Sequence, residues 1–192
     1  MSQRPLSRLA LSASVLLALA AGPARADFGL DLTGGYLNVT KAVQAGDLES
    51  LRQQVVRGDE LNHQDDMDRT ALTWAAIAEN EAMVKLLVQG GARTTIRDRD
   101  NRVPLHWAVQ KDAPEVVKAL LDGGAAIDVT DQRGTTPLMM AAANGNVSVV
   151  RLLISRHAKI DLRDYTGRSA LDFATDRRQA QVVQALKQAG AS

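Results

Sequence analysis

A spacing of 33 residues runs through the sequence and limits the folds that the chain can adopt. Four hexapeptides, TALTWA, VPLHWA, TPLMMA and SALDFA, begin 33 residues apart, at Thr70, Val103, Thr136 and Ser169. An aspartate recurs with the same period, at Asp65, Asp98, Asp131 and Asp164. A sustained period of this length indicates stacked copies of one supersecondary unit.

Each copy carries signals for two short helices. Thr70, Thr136 and Ser169 can cap the first helix with a hydroxyl, and Pro104 and Pro137 suit its first helical position. The glycine pairs at 90–91 and 123–124 predict that the second helix ends in the left-handed region. A polar connector of about ten residues predicts a hairpin-like finger. Because one helix pair cannot bury its own apolar face, the copies must stack.

The hexapeptides resemble the T-P-L-H-x-A signature of ankyrin repeats, and VPLHWA and TPLMMA match it most closely. The resemblance covers residues 36–192. It implies an all-α ankyrin-repeat solenoid of about five 33-residue helix-turn-helix repeats with β-hairpin-like fingers. Their approximate ranges are 36–65, 66–98, 99–131, 132–164 and 165–192. The family usually has glycine where this chain has Glu79, Asp112 and Arg178, and His157 replaces a capping glycine, where we expect mild strain.

Residues 1–26 have the layout of a cleaved secretory signal peptide. Arg4 and Arg8 precede an apolar run from Leu9 to Ala21, and Ala24-Arg25-Ala26 is a small-x-small cleavage site. A membrane anchor would need about 20 apolar residues. We therefore expect export to the periplasm, ahead of secretion, with no membrane insertion after cleavage. Residues 27–35 form an N-terminal lead segment, either flexible or covering the first repeat.

Charge and cysteine content restrict the function further. The chain has 23 Lys+Arg and 22 Asp+Glu. Residues 1–26 contain three arginines and no acid, so the mature chain has 20 basic and 22 acidic residues, a formal charge of −2. This balance argues against nucleic-acid binding. Since cysteine is absent, disulfides, lipid attachment at the cleavage site and cysteine chemistry are excluded.

The sequence carries no catalytic motif that we recognise, so we expect a protein that is not an enzyme and has no catalytic residue, cofactor or metal. The strongest metal hypothesis is the string from His63 to Asp68, but its spacing matches no calcium loop. An enzyme or a metal-dependent stress protein using His63, His106 or His157 is the competing hypothesis. The repeat register argues against it, because it places these histidines in three different repeats.

Two features of the repeat motif predict architecture rather than a reactive site. Trp74, Trp107, Met140 and Phe173 share one repeat position and predict a core between repeats. His106 occupies the third position after the helix cap, where a side chain can reach back to the helix start. Because Val103 stands where the other copies have a hydroxyl, this helix start should be the least well capped.

The resemblance implies that the fingers and the exposed parts of the first helices form a concave surface that binds other proteins. We call this surface the finger face. The residues that we expect to bind a partner are Asp66, Met67, Arg69, Arg99, Asp100, Arg102, Lys111, Gln132, Arg133, Asn144, Tyr165 and Arg168. Ile77, Gln110, Thr135, Thr166 and Asp176 are further exposed positions by register. The alternative is a solvated, charged surface.

The resemblance also implies two roles for a small exported ankyrin-repeat protein of bacteria. One is support of periplasmic defence against peroxide, alongside catalase. The other is immunity, in which the solenoid neutralises a toxin delivered to the periplasm. Both require a protein partner, whose identity the sequence does not give, and we expect the chain itself to be a monomer.

Overall fold

A computed structural model describes the backbone of residues 36–191 and the side chains of residues 39–191. Within this range the secondary structure is helical and contains no strand. The ten helices are α1 (Tyr36–Ala45), α2 (Leu48–Arg57), α3 (Ala71–Ile77), α4 (Glu81–Gln89), α5 (Pro104–Gln110), α6 (Pro114–Asp122), α7 (Pro137–Asn144), α8 (Val147–Ser155), α9 (Ala170–Asp176) and α10 (Ala180–Gln188). The signal peptide and lead segment proposed for residues 1–35 lie outside the described residues.

The helices form five antiparallel pairs that stack in two layers. Helices α1, α3, α5, α7 and α9 contact one another in series, and α2, α4, α6, α8 and α10 do the same. The core follows the 33-residue period: Leu72, Leu105 and Leu138 are buried in the first layer. Val84, Val117 and Val150 are buried in the second. This arrangement confirms the predicted helical solenoid.

The first helix of each later pair begins as its sequence predicts. Thr70, Thr136 and Ser169 each accept a hydrogen bond from the backbone N–H three residues on. At α5, Val103 offers no side-chain acceptor, and only half of a capping box forms: the Val103 N–H donates to His106 Nδ1 at 3.2 Å. The prediction that this helix start is the least well capped is therefore confirmed.

The prediction for the glycine pairs at the ends of α4 and α6 is only half right. Gly91 and Gly124 have φ of +92° and +83°, but Gly90 and Gly123 remain at −76° and −83°. The first glycine of each pair is required for space instead. A Cβ on Gly90 would lie 2.6 Å from Val55 Cγ1, and one on Gly123 would overlap Val88.

Several residues other than glycine adopt the left-handed conformation that the turns require. His157 has φ of +64°, as expected for a residue in place of a capping glycine. Glu79, Asp112 and Arg178, which replace glycine between the paired helices, have φ of +57°, +55° and +57°. Such backbone costs about 1 kcal/mol or more per residue. The stacked repeats must supply that energy, since they hold these turns in place.

Candidate protein-interaction face

Each finger is a tight turn built around the repeating aspartate rather than a pair of β-strands. Asp65 Oδ1 accepts hydrogen bonds from the backbone N–H groups of Met67 and Arg69, at 2.8 and 3.0 Å. The Asp65 N–H donates to the Arg69 carbonyl at 2.9 Å. Asp98, Asp131 and Asp164 repeat the same bonds. The term β-hairpin-like therefore describes the path of these connectors but not their hydrogen bonding.

In the second and third repeats, the other oxygen of the finger aspartate, Oδ2, connects the finger to the helix that follows it. Asp65 Oδ2 accepts from Trp74 Nε1, and Asp98 Oδ2 accepts from Trp107 Nε1, both at 2.7 Å. In the last repeat Phe173 cannot donate, and Arg168 Nη2 lies 3.2 Å from Asp164 Oδ2 instead. Since both oxygens of Asp65 are already used, the string from His63 to Asp68 offers little to a cation. Among the described residues no group of three or more His, Asp or Glu is arranged to hold a metal.

These hydrogen bonds lower the pKa of two finger carboxylates, Asp65 and Asp164. Burial acts to raise the pKa of Asp164, but hydrogen bonds from Thr166 and Arg168 outweigh it and lower the pKa to about 2. For Asp65, burial is likewise outweighed by hydrogen bonds from Arg69, Trp74 and Met67, and the pKa lies below its usual value. A carboxylate that accepts several N–H bonds stays ionised. Asp65 and Asp164 thus act as structural anions in their fingers.

The shared position of Trp74, Trp107, Met140 and Phe173 is only partly a core position. Met140 is buried, whereas the three aromatic rings are half-buried and pack against the core from the side of the fingers. The predicted core between repeats therefore contains Met140, whereas the three aromatic residues pack at its edge. An indole at this position can reach its aspartate only if one edge faces the finger. A tryptophan nine residues after an aspartate is the sequence signal for this bond.

Arg69, which we expected to bind a partner, is held inside the scaffold. Its guanidinium carbon lies 5.2 Å from the centre of the Trp74 ring and 4.6 Å from that of Trp107. Its Nε is 4.0 Å from Asp98 Oδ2, and the side chain is 17% exposed. Arginine stacks well on aromatic faces, and burial strengthens that attraction. Arg69 therefore links the second and third repeats, and little of it remains to contact a partner.

Two more arginines of the predicted site stack on the same aromatic register. Arg102 lies 5.2 Å from the Trp107 ring and donates to Gln110 Oε1 at 2.9 Å. Arg168 lies 4.1 Å from the Phe173 ring. Both retain exposed polar surface. The fourth repeat departs from this pattern, because it has Thr135 in place of the arginine and Met140 in place of the aromatic residue. Thr135 is buried, although we expected it to be exposed.

The other residues of the predicted site lie on the exposed surface of the fingers and at the ends of the first helices. Arg99 is ion-paired with Asp68, with its Nε 3.5 Å from Asp68 Oδ2. The remaining exposed members are Asp66, Met67, Asp100, Lys111, Gln132, Arg133, Asn144 and Tyr165. Their fingers are adjacent, since the Tyr165 N–H donates to the Arg133 carbonyl at 3.1 Å.

Tyr165 is the most exposed large apolar side chain of the finger face, at 78%. Its ring lies across Gly134 of the preceding finger, where an added Cβ would come within 2.8 Å of the ring. Gly134 also has φ of +77°. Met67, at 45% exposure, is a second large apolar side chain on a finger. The sequence does not reveal the contact with Gly134, because it joins two fingers 31 residues apart.

The histidines do not gather into a reactive centre. His106 is buried in α5, while His63 and His157 are exposed in a connector and after α8. Burial lowers the pKa of His106 to about 4, against an opposing effect of Asp131. The Thr135 backbone faces the ring, but Nε2 makes no hydrogen bond of ordinary geometry with the described residues. A histidine that remains neutral and inaccessible supports structure rather than catalysis.

A stacked array of helix pairs with projecting turns defines a helical repeat scaffold. The family model described as ankyrin repeats (3 copies) matches residues 39–131 and 114–192. The chain therefore belongs to the ankyrin-repeat family, whose repeats mediate contacts between proteins. A search of curated proteins found no match. No helix of the described part is both long enough and apolar enough to cross a membrane.

Proposed function

We propose that this protein is an exported interaction module that has no catalysis of its own and binds a partner protein through the finger face. The observation that carries the proposal is the exposure of apolar side chains on the fingers. In the described residues three large apolar side chains are strongly exposed, and two of them, Met67 and Tyr165, lie on this face. Tyrosine in particular is enriched among the residues that anchor protein interfaces.

The residues now proposed to contact the partner are those whose side chains are exposed and not already held by other residues. Tyr165 supplies a rigid aromatic ring, and Arg133 supplies a side chain that makes no ion pair or hydrogen bond in the described structure. Aromatic residues and arginine dominate the binding energy of many interfaces. Arg69 is withdrawn from the set, since the rings of Trp74 and Trp107 enclose it.

Export to the periplasm is the second part of the proposal, and the order of charged, apolar and small residues in 1–26 supports it. The resemblance to small exported ankyrin-repeat proteins favours support of peroxide defence as the role. Mass spectrometry of the protein recovered from a periplasmic fraction should find a chain that begins at Asp27. Recovery of the uncleaved chain from the cytosol would contradict export.

Affinity capture from periplasmic extract tests the binding role. The bait is the mature chain, residues 27–192, compared with Arg133→Ala/Tyr165→Ala and with a control, Val56→Ala/Arg151→Ala, altered on the second helices. We expect the control to retain the partner and the finger variant to recover at least about tenfold less. Equal recovery by all three baits would contradict binding through the finger face. A captured catalase would support peroxide defence, whereas a captured toxin would identify an immunity protein.

A further inference from the structure

The charge of the finger face changes along the solenoid. We count the charge at seven equivalent positions in each of the second to fifth repeats. Four of them are on the finger, and three are at the end of the first helix. In the second repeat these are residues 66–69 and 77–79, and their formal charge is −2, from Asp66, Asp68, Arg69 and Glu79. In the third, fourth and fifth repeats it is +1, +1 and +2. The face is therefore acidic in the second repeat and basic in the third to fifth.

Among the described residues of the finger face, three arginines of the last two repeats remain free, whereas Arg168 is held by Asp164 and Phe173. In the described structure Arg133, Arg177 and Arg178 are exposed and make no side-chain hydrogen bond or ion pair. By contrast, Arg69 is enclosed by two indoles and Arg99 is paired with Asp68. A guanidinium that is already paired gains little from a further carboxylate. The unpaired arginines of the last two repeats can each take a carboxylate in bidentate geometry.

Tyr165 adds an apolar surface to the finger of the fifth repeat, in the same two repeats that carry these cations. Its ring lies across Gly134, the residue after Arg133, and Arg177 and Arg178 follow the helix of its own repeat. A face that offers an apolar ring and unpaired arginines suits a segment that contains both an apolar residue and acidic residues. The opposite end of the face would repel such a segment, because Asp66 and Glu79 are exposed there.

We infer that the partner docks an acidic segment on the last two repeats, with an apolar side chain on Tyr165 and carboxylates at Arg133, Arg177 and Arg178. This inference rests on the proposed function and adds the chemistry of the partner. A uniform anionic polymer or membrane would meet the acidic second repeat as well. A protein can confine its carboxylates to one end, and such complementarity fixes orientation and speeds association.

Site-specific photocrosslinking tests the inference on the full chain expressed in its own cells. The photoreactive amino acid p-benzoylphenylalanine is placed at position 165, or at position 56 as an exposed control on α2. Mass spectrometry then identifies the partner peptide linked at each position. We expect position 165 to capture one protein, through a segment in which Asp and Glu outnumber Lys and Arg.

The outcomes separate the two proposals. A partner peptide that is basic or neutral would overturn the acidic segment and leave the binding role intact. Crosslinking at position 165 no greater than at position 56 would overturn both.

Charge reversal supplies a second test with the partner identified in this way. Arg133→Glu/Arg177→Glu should weaken binding at least about tenfold, and added salt should narrow that difference. Arg151→Glu/Lys187→Glu makes the same change in net charge on exposed residues of α8 and α10. The affinity of this control variant for the partner should stay within about twofold of that of the unaltered chain. Equal weakening by both variants would mean that net charge alone acts, and would refute an acidic segment seated on the fingers.

Discussion

Trp107 donates its indole N–H to Asp98 Oδ2 at 2.7 Å and so fastens a finger to the helix behind it. The Asp98 side chain is only 2% exposed, so few water molecules could replace the lost donor. Trp107→Phe should therefore lower the free energy of unfolding by about 2 kcal/mol, within the usual range for a bond to a charged group. Urea denaturation measures this loss.

The control for that bond comes from the last repeat, where phenylalanine is already the natural residue. Phe173 makes no bond to Asp164, whose Oδ2 is held by Arg168 instead. Phe173→Trp should therefore gain much less than Trp107→Phe loses. An unchanged unfolding midpoint for Trp107→Phe would contradict a structural role for the indole bond.

Val103→Thr should stabilise the protein by about 1 kcal/mol, because it supplies the hydroxyl that caps the helix in the other copies. The His106 N–H, now 3.0 Å from the Val103 carbonyl, would gain the acceptor that Thr136 provides to Met139. The reverse change, Thr136→Val, should destabilise α7 by a similar amount. Thermal unfolding compares the two, and a lower melting temperature for Val103→Thr would count against the capping account.

The buried histidine makes stability depend on pH. Burial lowers the pKa of His106 in the folded protein to about 4, whereas the unfolded value is 6.5. As the pH falls below 6.5, His106 binds a proton in the unfolded chain but stays neutral in the folded chain. Stability is therefore lost between pH 6.5 and 4, by about 3 kcal/mol in all.

His106→Gln isolates this effect, because glutamine does not titrate. Its free energy of unfolding, followed by urea denaturation from pH 7 to 4.5, should fall less steeply than that of the unaltered chain. Parallel profiles for the two proteins would show that His106 is not the group responsible.

Gly134→Ala should destabilise the protein more than Gly167→Ala. Both glycines are left-handed, with φ of +77° and +84°, so both substitutions strain the backbone by about 1 kcal/mol. Only at Gly134 would the new Cβ also meet a ring, that of Tyr165 at 2.8 Å; nothing lies within 4 Å at Gly167. Urea denaturation gives the free energy of unfolding of both variants, and the difference between them measures the contact between the two fingers. Equal losses would show that Tyr165 moves aside freely.

The sequence predicted the scaffold well because the 33-residue period reflects local rules. Helix caps such as Thr70 and buried positions such as Leu105 follow from the neighbouring residues and from the need to stack. Contacts that depend on side-chain direction were not predictable in this way. The enclosure of Arg69 by two indoles and the exposed edge of Trp107 depend on how successive repeats are offset, which the period does not specify.

The candidate face was predicted as a set of positions but not as a set of available groups. The repeat register placed Arg69, Arg102 and Arg133 on the same surface and predicted that each of them could contact a partner. In the structure Arg69 is enclosed, Arg102 is bonded to Gln110, and only Arg133 is free of such contacts in the described residues. Counting charges from the sequence therefore overestimates the number of groups that can contact a partner.

Hydrogen–deuterium exchange of the mature chain with its captured partner tests the central claim most directly. We expect slower exchange in the peptides that cover the fingers at residues 131–135 and 164–168, with the second helices α4, α6 and α8 unchanged. Protection confined to those second helices, with finger peptides exchanging as in the free chain, would contradict an interaction through the finger face.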